Sequence, residues 1–228
     1  MRPPVLLVVA KAPVPGQVKT RLIGPFTPHQ AAALAAAALL DTLDACTLAA
    51  ATTGGRVVVA LAGEIRSAVA RDALAERLRG LRVIPQRGTG LAERLVHAHA
   101  DAAGAFGGCV QVGMDTPQVT ADQLVRLSER ISSPDGADAV LGPATDGGWW
   151  VLGLRRAGAA RCLAGVPMSL ATTGADTLAA LRAECHRVEL APALTDVDTL
   201  ADVVLAASGD GRFARLARVL LPEPEPVR

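Results

Sequence analysis

Short apolar runs rich in β-branched residues alternate along this chain with longer stretches in which Ala and Leu recur at helical spacing. A continuous apolar run of four to eight residues reads as a strand buried on both faces, whereas a longer run with 3.6-residue periodicity reads as a helix. Strands are therefore expected at 5–10, 56–61, 81–85, 109–113 and 138–141, with helices at 28–50, 64–79, 91–103 and 121–131 between them. Two of these helices open on a capping box, Thr27 with Gln30 and Thr120 with Gln123, in which hydroxyl and amide satisfy otherwise unpaired backbone N–H groups. Alternating strand and helix implies an α/β fold with a mostly parallel sheet and helices on both faces. Ligands in such folds sit at the carboxyl ends of the strands, so the loops that follow strands are the places to look for chemistry.

The rhythm changes after Asp146-Gly147-Gly148. A strand at 149–154 entered from this Gly turn suggests an antiparallel excursion, followed by a helix near 173–184, a strand near 187–190 and one or two closing helices. Domains average about 150 residues, and no linker or charge run divides these 228 residues, so 1–220 is expected to form one domain. The Pro/Glu-rich end, 221–228, reads as a disordered tail.

Composition narrows the function. Half the residues are hydrophobic, enough for a large core, and 23 Lys and Arg against 22 Asp and Glu leave a net charge of +1. That balance gives no support to a nucleic-acid or polyanion binder, so any ligand argument rests on local charge. The four cysteines, at 46, 109, 162 and 185, contain no C-x-x-C pair, which suits buried thiols in a reducing compartment better than zinc or disulfides. Six apolar residues after Met1-Arg2-Pro3-Pro4 are too few for a signal-peptide core. No stretch reaches the roughly 20 uninterrupted apolar residues of a membrane span. A cytoplasmic protein with neither membrane nor nucleic-acid partner is expected, its oligomeric state left open.

Five loops could carry chemistry. The first strand runs into Lys11-Ala-Pro-Val-Pro-Gly16-Gln-Val-Lys19-Thr20-Arg21-Leu22, with three cations and a Gly at a strand's carboxyl end. Lys offers a compact charge and Arg a planar fork, both suited to polyphosphate, although a stiff solvated basic loop has the same spelling. It is no P-loop, because Val18 stands where Gly must precede Lys-Thr, and its single Gly excludes the dinucleotide fingerprint. After the fourth strand comes Met114-Asp115-Thr116-Pro117, where Asp115 is either a ligand for Mg²⁺ or Mn²⁺ or a turn cap before the helix at Thr120. Thr145-Asp146-Gly147-Gly148 makes a turn of little bulk that admits a substrate against the backbone, or else an ordinary hairpin turn. Asp198, in Thr195-Asp196-Val-Asp198-Thr199, is a second metal ligand or a helix cap. Gln86, Gly88 and Gly90 open the helix at 91, where backbone amides can meet a base or a phosphate, though a plain helix entry explains the glycines too. His97 and His99 do not share a helix face as a metal pair would, and read as ordinary surface or core residues. No G-x-S-x-G elbow or H-E-x-x-H helix is present, which argues against a serine hydrolase or a zinc protease.

Read in order, four segments resemble one family. They are Ala10-Lys-Ala-Pro-Val-Pro-Gly-Gln-Val-Lys-Thr-Arg-Leu22, Gly113-Met-Asp-Thr-Pro117, Leu141-Gly-Pro-Ala-Thr-Asp-Gly-Gly148 and Asp196-Val-Asp-Thr199. The chain resembles the GT-A-like transferases labelled arsenosugar-type or selenodomain-associated glycosyltransferases, a group of largely unassigned function. It is also similar to the phospholactate guanylyltransferases, whose opening loop carries a Lys-Ser/Thr-Arg-Leu element. The resemblance implies a three-layer α/β/α sandwich whose first half binds a nucleotide donor through Ala10, Lys11, Gly16, Lys19 and Arg21. It makes Asp115 a metal ligand and Asp198 a candidate second one, and sets Thr145, Asp146, Gly147, Gly148 and Ser169 beside the acceptor. Two departures concern the acceptor side. Trp149-Trp150 stand where the family often has Tyr-type residues, and Met168-Ser169-Leu170 replaces the usual Trp-Ser-Thr.

Three functions follow. A nucleotidyltransferase would pass a nucleotidyl group from an NTP to a phosphorylated small molecule, with Lys19 and Arg21 neutralising the leaving pyrophosphate. A glycosyltransferase would pass a sugar from a nucleotide-diphospho-sugar to a small acceptor, with Asp146 as base. A non-catalytic nucleotide-binding module would leave the acceptor-side loops without a purpose. The dense basic loop, and a lone Asp115 where many glycosyltransferases carry D-x-D, favour the first.

Overall fold

The structure, a computed structural model, describes residues 3–105 and 107–221. Every apolar run expected to be a strand is one. They are β1 Val5–Lys11, β2 Arg56–Ala62, β3 Arg82–Pro85, β4 Cys109–Gly113, β5 Ala139–Pro143, β6 Trp149–Leu154 and β7 Val188–Leu190. They form one sheet in the order β3-β2-β1-β4-β6-β5-β7. All neighbours are parallel except β6, which runs against β4 and β5 and is the antiparallel excursion expected after the Gly turn.

The period of two along each strand sorts side chains between two helical layers. Leu6, Val8, Val57, Val59, Val110 and Val112 pack under α1 (Pro28–Thr53) and α4 (Ala121–Ser132). Their sequence neighbours Val5, Leu7, Val58, Ala60 and Cys109 face α3 (Leu91–Ala103) on the other side. Leu141, Leu152 and Leu154 extend that face under α5 (Thr173–Glu184) and the 3-10 segment Ala157–Gly165. α6 (Leu200–Ala206) and α7 (Arg212–Leu220) cover the outside of α1 through Val203, Phe213 and Ala217. The result is the expected three-layer α/β/α sandwich, and both capping boxes form as spelled. The tail at 222–228 lies outside the described residues.

α1, at 26 residues, is long and apolar enough to cross a membrane by length and composition, but Asp41 and Asp44 interrupt it, so it is not the uninterrupted apolar stretch whose absence was expected. It is spent on the core, with most of its apolar window buried. The helix expected at 64–79 forms only as a 3-10 turn, Ile65–Ser67, and then α2 (Arg71–Leu78). Between them the Val69 N–H donates to the Pro13 carbonyl at 2.9 Å, and Ala70 takes a left-handed φ of 57°. That long-range tie to the loop after β1 overrides local helix preference.

Candidate active site

β1 and β4 lie side by side, with Val9 paired to Gly113, so the loops that leave them emerge together. Within the β1 loop Val18 and Leu22 are buried and act as anchors. Between them Lys19 adopts a left-handed φ of 48°, an unfavourable conformation for a residue with a Cβ. This turns its side chain inward, where the ammonium is 2.8 Å from Asp115 and 2.9 Å from Asp198. Arg21 reaches the other oxygen of Asp198 at 3.1 Å. Burial alone would lower the Lys19 pKa, and pairing with Asp115 and Asp198 more than reverses this, holding the ammonium above its usual range. Burial likewise pushes Asp198 up, but Lys19 and Arg21 together bring it below the usual carboxylate value.

The third strand of chain in this site is the extended segment 194–198. Leu194 exchanges backbone bonds with Pro143 and Thr145 at the end of β5, and the Val197 N–H donates to the Asp115 carbonyl at 2.9 Å. Residues two apart in extended chain project to the same side, and Asp196 and Asp198 both point into the cleft. Asp196 accepts from Thr116 Oγ1 at 2.5 Å. Its burial, set against that bond and reinforced by Asp115 and Asp146, raises its pKa to about 6. Two alternatives close here. Thr199 with Asp202 caps α6, and Thr120 caps α4, so neither Asp198 nor Asp115 serves as a helix cap.

Two hollows meet at this cluster. The smaller, about 250 Å³, is walled by Lys11, Lys19, Thr20 and Arg21. The larger, about 510 Å³, has Val9, Leu91, Leu95 and Trp149 among its apolar walls. Asp115, Asp198 and Arg21 border both. The turn between β5 and β6 is the hairpin turn of the simpler reading, and it also lines the larger hollow through Asp146 and Gly148. Asp146 Oδ1 accepts from the Gly148 N–H at 2.8 Å. Gly147, at φ 90°, passes so close to residue 171 that a Cβ would lie 2.1 Å from the Ala171 carbonyl oxygen. Ser169 has a left-handed φ of 63° and lines the same wall. Trp150 is buried and donates to the Pro192 carbonyl, while Trp149 donates to Thr177.

Not every residue singled out in the sequence meets at the cleft. Lys11 borders the smaller hollow but stays apart from the ion cluster, its ammonium donating to the Gln17 carbonyl at 2.8 Å. Gln86 ties the ends of β1 and β2 by donating to the carbonyls of Ala10 and Ala60, each at 2.9 Å. Ala10, Gly16, Gln86, Gly88 and Gly90 border neither hollow, and Thr145 Oγ1 pairs with Thr195 rather than facing the cavity. Conversely, Asp196, Thr116 and Gln111 line the cavity without having been singled out. The cations and acids, expected in separate roles, instead form one ion cluster.

For a metal, Asp115 and Asp198 offer oxygen donors only, which suits Mg²⁺ or Mn²⁺. Among the described residues no group of three or more His, Cys, Asp or Glu is arranged to hold an ion. Mg²⁺ commonly takes one or two carboxylates and completes its shell with substrate phosphates. A pair of carboxylates already sharing one cation, beside a phosphate-sized hollow, fits that pattern.

Known proteins share this architecture. The profile of the family described as "Uncharacterized protein conserved in bacteria (DUF2064)" matches residues 31–170. A protein of Desulfovibrio desulfuricans G20, provisionally named a nucleotide-diphospho-sugar transferase, superposes with a TM-score of 0.79 at 24% identity, over 95% of this chain and 96% of that one. A nucleotidyl transferase from Methanothermobacter superposes at 0.56, with 17% identity over 95% and 99% of the two chains. Rv0371c from Mycobacterium tuberculosis H37Rv, solved in complex with manganese, gives 0.50 at 19% identity over 94% and 98%. No curated protein matches the sequence. The likenesses establish the GT-A-like fold that the loop segments implied.

Proposed function

The chain belongs to the DUF2064 family, and on that footing we propose that it is a divalent-metal-dependent transferase moving a nucleotidyl group from a nucleoside triphosphate to a phosphorylated small molecule. The carrying observation is the cluster of Lys19, Arg21, Asp115 and Asp198 where the β1 and β4 loops emerge, opening on a cavity of about 510 Å³. That volume suits a small-molecule site. With a triphosphate in the smaller hollow, Lys19 and Arg21 exchange carboxylate oxygens for phosphate oxygens. Asp115 and Asp198, thereby freed, would hold Mg²⁺ or Mn²⁺, which when bound would supply positive charge to offset that of the phosphates.

An oxygen of the acceptor's phosphate forms the new bond to the α-phosphorus. The bond to pyrophosphate breaks, and pyrophosphate leaves with the electron pair, its charge met by Lys19 and Arg21. The attacking oxygen is already anionic at neutral pH, so no proton has to move. Positioning and electrostatics do the work, with no covalent enzyme intermediate. The fold's likeness at TM-score 0.79 to the Desulfovibrio protein supports a second reading, transfer of a sugar from a nucleotide-diphospho-sugar. There Asp146, whose Oδ2 the turn leaves free among the described residues, takes the proton of an acceptor hydroxyl.

Incubation with each NTP and Mg²⁺ or Mn²⁺, plus a panel of phosphorylated acids, should release pyrophosphate, and EDTA or Asp115→Asn should abolish it. If no NTP turns over while a UDP- or GDP-sugar raises the melting temperature, the nucleotidyl reading fails. Binding with no turnover of either donor class leaves only a nucleotide-binding module.

A further inference from the structure

Gln111 is the one polar side chain in the buried run Cys109–Gly113, and it is 3% exposed. Its Oε1 meets Nε2 of His99 on α3 at 2.8 Å, and His99 is fully buried. Burial pushes the His99 imidazole down to about 4, outweighing its bond to Gln111, so the ring is neutral near pH 7. A neutral imidazole carries one N–H. Facing a carbonyl oxygen, Nε2 must be the donor, and Nδ1, which has no partner in the core, is left bare. This bond holds the Gln111 amide with its oxygen toward α3.

The amide nitrogen consequently points the other way. Gln111 lines the larger hollow, and among the described residues its Nε2 has no protein partner and is not sealed in the core. Val9, Leu91, Leu95 and Trp149 line the same hollow, and their side chains offer no oxygen acceptor. The carboxylates of the cluster belong to the charged loops at the strand ends, whereas Gln111 sits mid-strand. In a hollow that carries charged groups at the strand ends and apolar side chains further in, a donor of fixed direction on the strand can select among ligands by a single polar group.

The geometry points to Gln111 as a specificity-determining residue that donates to a carbonyl, carboxylate or hydroxyl oxygen on the substrate portion filling this cavity, with His99 a positioning residue that sets the amide's direction. The inference rests on the transferase reading of the cleft. The oxygen belongs either to the nucleobase of the donor or to the acceptor.

Calorimetric titration of wild type and Gln111→Met with ATP, GTP, CTP and UTP, each with Mg²⁺, separates these sources when followed by pyrophosphate-release kinetics on the phosphorylated-acid panel. Met keeps the volume and removes the donor, and loss of one such bond is worth roughly 10-fold. A loss of that size for the preferred NTP alone puts the oxygen on the base. Unchanged NTP affinity with a similar fall in acceptor kcat/KM puts it on the acceptor, and either result supports the inference. Gln111→Glu presents an acceptor in place of the donor and should lose more than Gln111→Met, a ranking that mere packing would not produce. His99→Leu should reduce the same selectivity ratio, with ligand-free melting curves confirming that each variant is folded. If Gln111→Met and Gln111→Glu keep wild-type affinities, kcat/KM and selectivity, the inference is overturned and the transferase reading stands. If wild type neither binds nor turns over any NTP, both fall.

Discussion

Replacing Lys19 by Met keeps most of a buried side chain's volume and removes the ammonium that Asp115 and Asp198 share. Unit charges 2.8 and 2.9 Å apart attract by about 6 kcal/mol each at an effective dielectric constant near 20. Little of that reaches net stability. Lys19 no longer pays its own desolvation, and Asp115 and Asp198 retain 44% and 35% side-chain exposure, so water replaces the lost partner. Exposed pairs contribute about 0–1 kcal/mol and a broken buried pair costs about 3–5 kcal/mol, which places Lys19→Met near 2 kcal/mol. The more discriminating quantity is the coupling with Asp198→Asn, because each change removes part of one interaction. Urea denaturation in EDTA at pH 7 should show the two single losses exceeding the double loss by about 1 kcal/mol. The sign of the pH dependence is also set. Asp198 has its folded pKa below the ordinary 3.8, so its pairing stabilises the fold above that value and is lost as the pH falls through the folded pKa. The Lys19→Met deficit should therefore shrink as the pH drops below about 4. Additive losses, or a deficit that does not change with pH, would refute the idea that these groups share one ion cluster.

Three further perturbations test other parts of the structure. Asp196, raised from 3.8 to about 6 in the folded chain, binds more protons folded than unfolded between those values. Stability in EDTA should thus fall as pH rises through that window, and Asp196→Asn should flatten the slope; an unchanged slope contradicts the burial argument. Gly147→Ala places a Cβ against the Ala171 carbonyl at a φ of 90°, and should cost about 2–4 kcal/mol in chemical denaturation. A loss under about 0.5 kcal/mol would mean the wall at 169–171 yields freely. Asp41 on α1 accepts from the backbone N–H groups of Arg212 and Phe213 at 3.0 and 2.8 Å, capping α7 where Gly211 has no side chain to do so. Asp41→Ala should cost about 1–2 kcal/mol and raise amide exchange in α7; unaltered exchange would deny it that role.

The central strands were legible because a parallel strand covered on both faces is apolar almost throughout, as in Val57-Val58-Val59-Ala60. The break before α2 was not, because its cause is a backbone bond from Val69 to Pro13, a contact that no local propensity encodes. The same division holds in the site. Lys19 and Asp115 were legible as polar residues leaving buried strands, but the pairing of Lys19 with Asp198 spans 179 positions and exists only in the fold. Asp196 had a readable signal, since it stands two residues before Asp198 in extended chain. Gln111 had one too, because a polar side chain inside a strand buried on both faces needs a partner. His99 falls on the buried stripe Leu95, Ala98, His99, Ala102 of α3, so the core reading of the two left open is the one the fold realises.

That Lys19 stands between the acids has a consequence for any ligand. A polyphosphate that drew Lys19 and Arg21 away without a metal would leave Asp115 and Asp198 facing each other with no cation. A metal that took the two acids without a nucleotide would leave a buried ammonium with no anion, which is costly. Under the proposed function, each ligand thus repairs the charge imbalance that the other creates. Binding must then be mutually dependent, and linkage requires the dependence to be equal in both directions. The factor by which an NTP tightens Mn²⁺ should match the factor by which Mn²⁺ tightens the NTP, and both should shrink in Lys19→Met, where the metal no longer has an ammonium to displace. Equal Mn²⁺ affinity with and without nucleotide in wild type would mean that Lys19 does not leave the acids, and that the phosphates are held by other groups.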